Sequence, residues 1–330
     1  MVDVEHHGTP SGYVFAVAGR PYCCWDYDHV ERGLEFLDGF DTEYFEMVAG
    51  LCLQDFEAPD DQLRASVLLR TTYHQAVETL LSLLGAALQA PLAIPAWFTL
   101  CSTGDLTSLA ASLRDGRSVL TWSGAQRVSF HELSERVHGM AWPDEDGEDS
   151  TAARFGKFWR GLSGELLDES ARAEYNALKH GNRVRPGGFT LAIGLEETPG
   201  VAAPPEAMRS LGGSQFGSTF FTSERVGSSK EHIRAHRRSV NWSPEVLAKR
   251  LVLISMSLKN VVGSLRCALG IDPSTVEFVR PVPLDVFEEV WMLGPSVRSS
   301  SIDVVIRIDP ADELSRDQLL DLLEGRHQSE

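Results

Sequence analysis

Between Glu78 and Asp105 the chain carries no charged side chain, a run long enough to cross a membrane and therefore the first thing its fold must accommodate. Pro91 and Pro95 interrupt it. A proline within a helix removes a backbone donor and clashes with the preceding turn, and the residue before it is pushed out of the helical region. The run is thus expected to split into the end of one helix near Ala90, a proline-containing turn and a short apolar helix, forming a buried core and no membrane span. Upstream, Pro59-Asp60-Asp61 supplies a helix start. From there Leu63, Val67, Leu81 and Leu88 fall on one face, while Leu69, Ala76, Leu80 and Leu84 fall on another. A helix apolar on most sides belongs at the centre of a bundle.

At 330 residues the chain is long for one core, and about two domains are expected. Residues 1–183 read as a helical domain that opens with a short strand, Tyr13 to Ala18. Further helices begin at Asp41 and Glu43, at Asp105 and at Ser129, and two more cover Thr151 to Leu162 and Gly164 to His180. Residues 184–330 change period. Phe189, Leu191, Ile193 and Leu195 alternate with smaller residues, and Gln215 to Val226 and His232 to Trp242 are extended runs about Gly227-Ser228-Ser229, which predicts an antiparallel meander. Ser243-Pro244 opens a helix through Leu247, Leu251, Ile254, Leu258, Val261 and Leu265 to Gly270. The tail adds a strand over Ile302 to Ile308 and a last helix with a capping box from Ser315 to Gln318. The predicted fold class is α+β: a mainly helical N-terminal bundle with a small antiparallel sheet and a returning C-terminal helix.

Thirty Lys and Arg against 47 Asp and Glu give a formal charge of -17. The whole molecule repels nucleic acid and anionic membranes, so any polyanion site must be local. Residues 1–177 hold 12 basic and 28 acidic side chains, residues 178–270 hold 13 and 6, and residues 271–330 hold 5 and 13. The five cysteines, Cys23, Cys24, Cys52, Cys101 and Cys267, form no CxxC pair and fit neither a disulfide framework nor a zinc finger. With no secretory pattern in Met1 to Pro10, a reducing cytoplasm is expected. No Walker loop, dinucleotide glycine fingerprint or HExxH appears, so no cofactor and no metal are expected.

The strongest chemical signal is Arg70, His74 and Glu78, spaced four apart on an otherwise apolar helix. Burying charge without partners costs several kcal/mol, so these residues imply water access or partners on a facing helix. The segment around Glu174 to Gly181 offers such partners, with Arg172, Asn176, Lys179, His180 and Arg183 on a cationic face. Imidazole, amide and guanidinium in one cleft suit phosphate binding or activation of a hydroxyl. A polar network that fixes helix packing is the alternative.

A long apolar helix with Tyr73-His74 and Glu78, followed by a helix ending Tyr175-Asn176-Ala177-Leu178-Lys179-His180-Gly181, resembles bacterial proteins with a HEPN-type helical bundle, over about residues 60–183. The resemblance implies RNA recognition or RNase activity of a toxin or defence system, in which a helix-borne Arg and a His, with four to six residues between them, act on the RNA 2'-hydroxyl. This chain departs from that spacing: Arg172 precedes His180 by eight positions and Arg70 precedes His74 by four.

Two other patterns bear on ligands. In the run His232 to Arg238, period two puts His232, Arg234, His236 and Arg238 on one strand face, which suits phosphates or a solvated sheet face. His131, Glu135 and His138 share a helix face with the Glu-x-x-His spacing of di-metal bundles, but no second copy exists, and a solvated face is expected. The functional expectation is a cytoplasmic binding protein for RNA, a nucleotide or a partner protein. Its alternatives are a metal-independent ribonuclease using His180 with Arg172 or Arg183, and an interaction protein with no ligand site.

Overall fold

The computed structural model describes residues 12–25, 28–54, 56–181, 183–196, 198–227, 230–301 and 313–327. In chain order the elements are β1 (Tyr13–Val17), β2 (Arg20–Cys24), α1 (His29–Asp38), α2 (Tyr44–Cys52), α3 (Pro59–Gln89), α4 (Ile94–Leu100), α5 (Thr103–Arg114), β3 (Ser118–Thr121), β4 (Gly124–Arg127), α6 (Phe130–His138), α7 (Thr151–Leu167) and α8 (Glu169–Lys179). There follow β5 (Val184–Pro186), β6 (Thr190–Ile193), β7 (Arg209–Gly213), β8 (Gly217–Arg225), β9 (Ile233–Asn241), α9 (Pro244–Ala268), α10 (Val286–Met292), β10 (Ser299–Ser301) and α11 (Arg316–His327). The fold is α+β. It divides into two compact units, Met1–Arg172 with Pro244–Gly294, and Ala173–Ser243 with Pro295–Glu330. The division falls ahead of residue 183, and α9 groups with the N-terminal helices. The strand expected over Ile302 to Ile308 lies outside the described residues.

In the first unit α3 is the central helix, packed on α9, α2, α7, α5 and α4. Its bounds follow from Pro59 at the first turn, Asp60 and Asp61 against the helix N-terminus, and the halt ahead of Pro91. The uncharged run accordingly folds as the end of α3, a turn, and α4. Leu80, Leu83, Leu84, Ala86 and Trp97 are fully buried, each larger aliphatic or aromatic group contributing about 1.5 to 3 kcal/mol. Gln89, also fully buried, closes the far end of α3. Its amide donates to the carbonyls of Ala18 and Leu120, and its oxygen accepts from the Ala18 N–H and the Trp97 indole, tying the β1–β2 and β3–β4 hairpins to the bundle. Capping boxes at Ser102 with Asp105 and at Ser129 with Glu132 start α5 and α6. By length and hydropathy α9 meets the measure of a membrane span, but 61% of its most apolar window is buried inside the protein.

A second polar node sits beneath α6, α7 and α9. His138 stacks on Phe155 at 4.5 Å between centroids, with Trp142 and Trp159 also around it. Its Nδ1–H donates to the Ser134 carbonyl at 2.9 Å, and its Nε2 accepts from Asn260 at 3.1 Å. Asn260 also clasps the backbone of Val279, donating to its carbonyl and accepting from its N–H, both at 2.8 Å. Burial pushes the imidazole down to about 4 despite the Ser134 carbonyl, so it is neutral near pH 7. The face expected to be solvated is therefore split: His131 and Glu135 pair in the open at 3.3 Å, and His138 is buried.

In the second unit a four-stranded antiparallel sheet has the order β10-β9-β8-β5, and β6 pairs with β7 separately. Residue Phe220 lies opposite both Val184 and Arg238, and Thr219 lies opposite both Arg185 and Ser239. That register fixes which side chains share a face. The inner face carries Ser218, Phe220 and Thr222; Ser218 and Phe220 are buried. Buried Glu174, in the middle of α8, anchors there by accepting the Ser218 hydroxyl at 3.0 Å.

Candidate functional site

The middle of α3 supplies one wall of the site. Arg70, Tyr73 and His74 follow one another within little more than a turn, Tyr73 fully buried and Arg70 buried. Helix α7 brings Glu165 and α9 brings Arg250 to the same place. The Tyr73 hydroxyl donates to Glu165 Oε2 at 2.7 Å, and Arg250 Nη1 donates to Glu165 Oε1 at 2.7 Å and to the Tyr73 oxygen at 3.3 Å. Arg250 is held from its other side. Its Nε donates to the Val290 carbonyl at 3.0 Å, and its guanidinium carbon lies 4.2 Å from the Trp291 ring centroid, a cation–π distance. The indole reaches that position because residue 161, one turn before Glu165 on α7, is glycine: a Cβ there would run into the ring. Arg70 completes the cluster with its guanidinium carbon 5.6 Å from the Tyr73 centroid.

The electrostatics follow from this crowding. Burial alone would raise the Glu165 carboxyl, but the Arg250 and Arg70 guanidinium groups, the Tyr73 hydroxyl and His74 outweigh it and hold the group below the usual carboxylate range. Burial and then the Glu165 charge push the Tyr73 hydroxyl the opposite way, well above the usual phenol range. The Glu165 side chain is 32% exposed while that of Arg250 is 8% exposed, so the cluster comes nearest to solvent along Glu165, whose carboxyl oxygens are turned inward to Tyr73 and Arg250. Two permanent cations and one imidazole thus surround a single carboxylate on a partly exposed side chain.

No protein-family model, curated protein or solved structure matches this chain. The residues expected from the sequence are accordingly placed by chemistry alone. In the first unit Arg70 and His74 come together at Glu165. Glu78, one turn further along α3, belongs to another neighbourhood, where burial, Asp105 and Glu78 together raise the Cys101 thiol to about 11. Arg172 is exposed on α8. Glu165 and Arg250 were not anticipated, nor was Trp291 as the support of Arg250. One signal did exist, since Arg250 interrupts the apolar face of α9 as Arg70 interrupts α3.

In the second unit Asn176, Lys179, His180 and Arg183 are all exposed, with the Lys179 ammonium 4.9 Å from the Tyr175 ring centroid. Among the described residues the His180 ring has no hydrogen bond or ion pair. The stripe expected on β9 lies on the inner face. Arg234 gives both Nε and Nη2 to Glu224 Oε2, at 2.9 and 2.7 Å, and His236 is buried with its Nε2 3.0 Å from the Ser301 hydroxyl. Arg238 lies opposite Phe220 and Ser301, its buried Nε without a hydrogen bond among the described residues. Among the described residues no group of three or more His, Cys, Asp or Glu side chains is placed to hold a metal ion.

Proposed function

We propose that the protein is a binding protein whose helical unit takes a compact phosphate-bearing ligand, a nucleotide, at the mouth of the Glu165 cluster. The observation that carries this reading is the convergence of Arg250, Arg70 and His74 on the one carboxylate of a partly exposed side chain, in a chain of net charge -17. Guanidinium groups match phosphate oxygens in charge and planar geometry, and Arg250 is already held by Val290 and Trp291, so little ordering remains to be done on binding. Glu165 acts in this scheme as an internal counter-ion that a phosphate displaces or shares. Binding is favoured over RNA cleavage because a general acid or base needs a partner to set its orientation, and the described surroundings of His180 provide none.

Calorimetric titration of the full chain with a nucleoside triphosphate, pyrophosphate and the bare nucleoside at low salt tests the reading. Both phosphate compounds should bind and the nucleoside should not. Glu165→Gln, which removes the competing negative charge at unchanged shape, should tighten binding several-fold, and Arg70→Gln should weaken it about tenfold. Absence of binding at millimolar ligand by the folded protein, or weaker binding in Glu165→Gln, would reduce the cluster to a packing network.

A further inference from the structure

The four-stranded sheet has a second face that the sequence periodicity alone did not single out. Because Thr219 pairs with both Arg185 and Ser239, Phe221 with Arg237, Ser223 with Ala235 and Arg225 with Ile233, these residues form consecutive cross-strand rows on the side opposite Glu224, Arg234 and His236. The assignment is supported by burial, which alternates along β9: Ile233, Ala235 and Arg237 are exposed, whereas His236 is buried. A hydrogen bond of 2.8 Å between the hydroxyls of Thr219 and Ser239 confirms that the two lie side by side.

This outer face has an unusual composition for the chain that bears it. It carries three guanidinium groups, Arg185, Arg225 and Arg237, all exposed, and its paired positions include no carboxylate, although acids outnumber bases 47 to 30 overall. Among the described residues none of the three arginines makes a side-chain hydrogen bond or ion pair. At its centre, directly opposite Arg237, the Phe221 ring is 67% exposed. A sheet face that only needs solubility mixes charges of both signs and hides its aromatics. Here one sign of charge surrounds one uncovered ring.

We propose that this face docks single-stranded nucleic acid, with Arg185, Arg225 and Arg237 on phosphates and Phe221 under a base. Charge complementarity selects a polyanion, and the exposed ring selects a single strand, since duplexes bury the base faces that an aromatic side chain stacks on. From Thr219 to Arg225 the platform runs about 20 Å along β8, enough for a short oligonucleotide. The surface lies wholly within the second unit and does not depend on the Glu165 cluster.

The test uses the full chain and a fluorescently labelled 12-nucleotide single-stranded RNA of mixed sequence, read by anisotropy from about 20 to 200 mM salt. Binding should weaken with salt at a logarithmic slope of about -2, the value for three neutralised phosphates on a single strand. Replacing Arg185, Arg225 and Arg237 together by Gln should lower affinity at least tenfold and flatten that slope. Phe221→Ser should lower affinity about tenfold and leave the slope unchanged, separating stacking from charge. All four positions are exposed, so the melting temperature should hold in both variants. The Arg185, Arg225 and Arg237 variant should bind the nucleoside triphosphate as the unaltered chain does, keeping this result separate from nucleotide binding. The proposal fails if the unaltered protein does not bind at 20 mM salt, or if the triple variant binds equally well. It also fails if duplex RNA binds as tightly with no effect of Phe221→Ser, or if vesicles containing phosphatidylserine are bound through the same arginines while RNA is not.

Discussion

Helix α6 delivers His138 to a box of aromatic rings and α7 delivers Glu165 to a pair of guanidinium groups beside Trp291, yet the first cluster is closed and neutral while the second is open and charged. At His138 the polar capacity is used up from inside: both ring nitrogens are hydrogen-bonded, and Asn260 spends its amide on His138 and the Val279 backbone. At Glu165 the inventory is unequal, with more cationic groups than carboxylates and a third of the side chain in water. Satisfied neutral groups in a dry site contribute architecture, because no outside ligand can improve on their partners. Surplus charge at the protein surface is what an outside ion can use. The two clusters should therefore respond very differently to damage.

The sharpest break comes from Asn260→Ala. It strands the Val279 N–H and carbonyl and His138 Nε2 in the interior together, and should cost about 3 to 5 kcal/mol in denaturant unfolding. A loss under 1 kcal/mol would mean that the node is not closed. Acid provides a second separation. The folded pKa of His138, about 4, lies below its unfolded value near 6.5, so the unfolded chain binds the extra proton first and stability falls as pH drops from about 6.5 to 4, by up to about 3 kcal/mol. Glu165 is also depressed. Its contribution is complete above the unfolded carboxylate value of about 4.3 and is lost only as pH falls through its lower folded value. Unfolding midpoints between pH 7 and 4.5 should thus report His138 and not Glu165, with the His138 ring protons observed by NMR remaining in the neutral form down to about pH 4.

Much of the helical unit was legible because its signals are local. The start at Pro59, the stop before Pro91, Asp105 in the first turn of α5 and the capping Ser129 act within one turn of where they stand. What escaped is what depends on distant partners. Strand β2, Arg-Pro-Tyr-Cys-Cys, has no apolar alternation and exists because β1 pairs with it. Arg70 and His74 were visible as polar interruptions of an apolar helix, but Glu165 and Arg250, 92 and 177 residues beyond Tyr73, are brought to them by packing that no spacing encodes. His138 shows a different limit. Helical period places it with exposed His131, but burial here changes along the axis of α6, whose last turn runs beneath Phe155 and Trp159. On β9 the alternation identified two faces, and only the pairing of β8 with β9 and with β5 revealed which arginines stay in water.

The smallest effect is the most telling for the comparison. Tyr73→Phe removes the hydroxyl that donates to Glu165 Oε2 and accepts from Arg250, with no change in ring volume. Counted by bonds, the loss resembles that at Asn260. The difference is that Glu165 reaches solvent, so water can replace the missing donor, and Arg250 keeps Glu165, Val290 and Trp291. The expected cost is therefore only about 1 kcal/mol, with the Glu165 carboxyl rising toward its ordinary range as one stabilising hydrogen bond is lost. Denaturant unfolding of Tyr73→Phe, Glu165→Gln and the double variant measures the coupling directly. A coupling near 1 kcal/mol fits an open cluster whose members can exchange a partner for water or for a ligand. A loss of 3 kcal/mol or more for Tyr73→Phe alone would place Glu165 in the same closed class as His138, and the case for a ligand there would go with it.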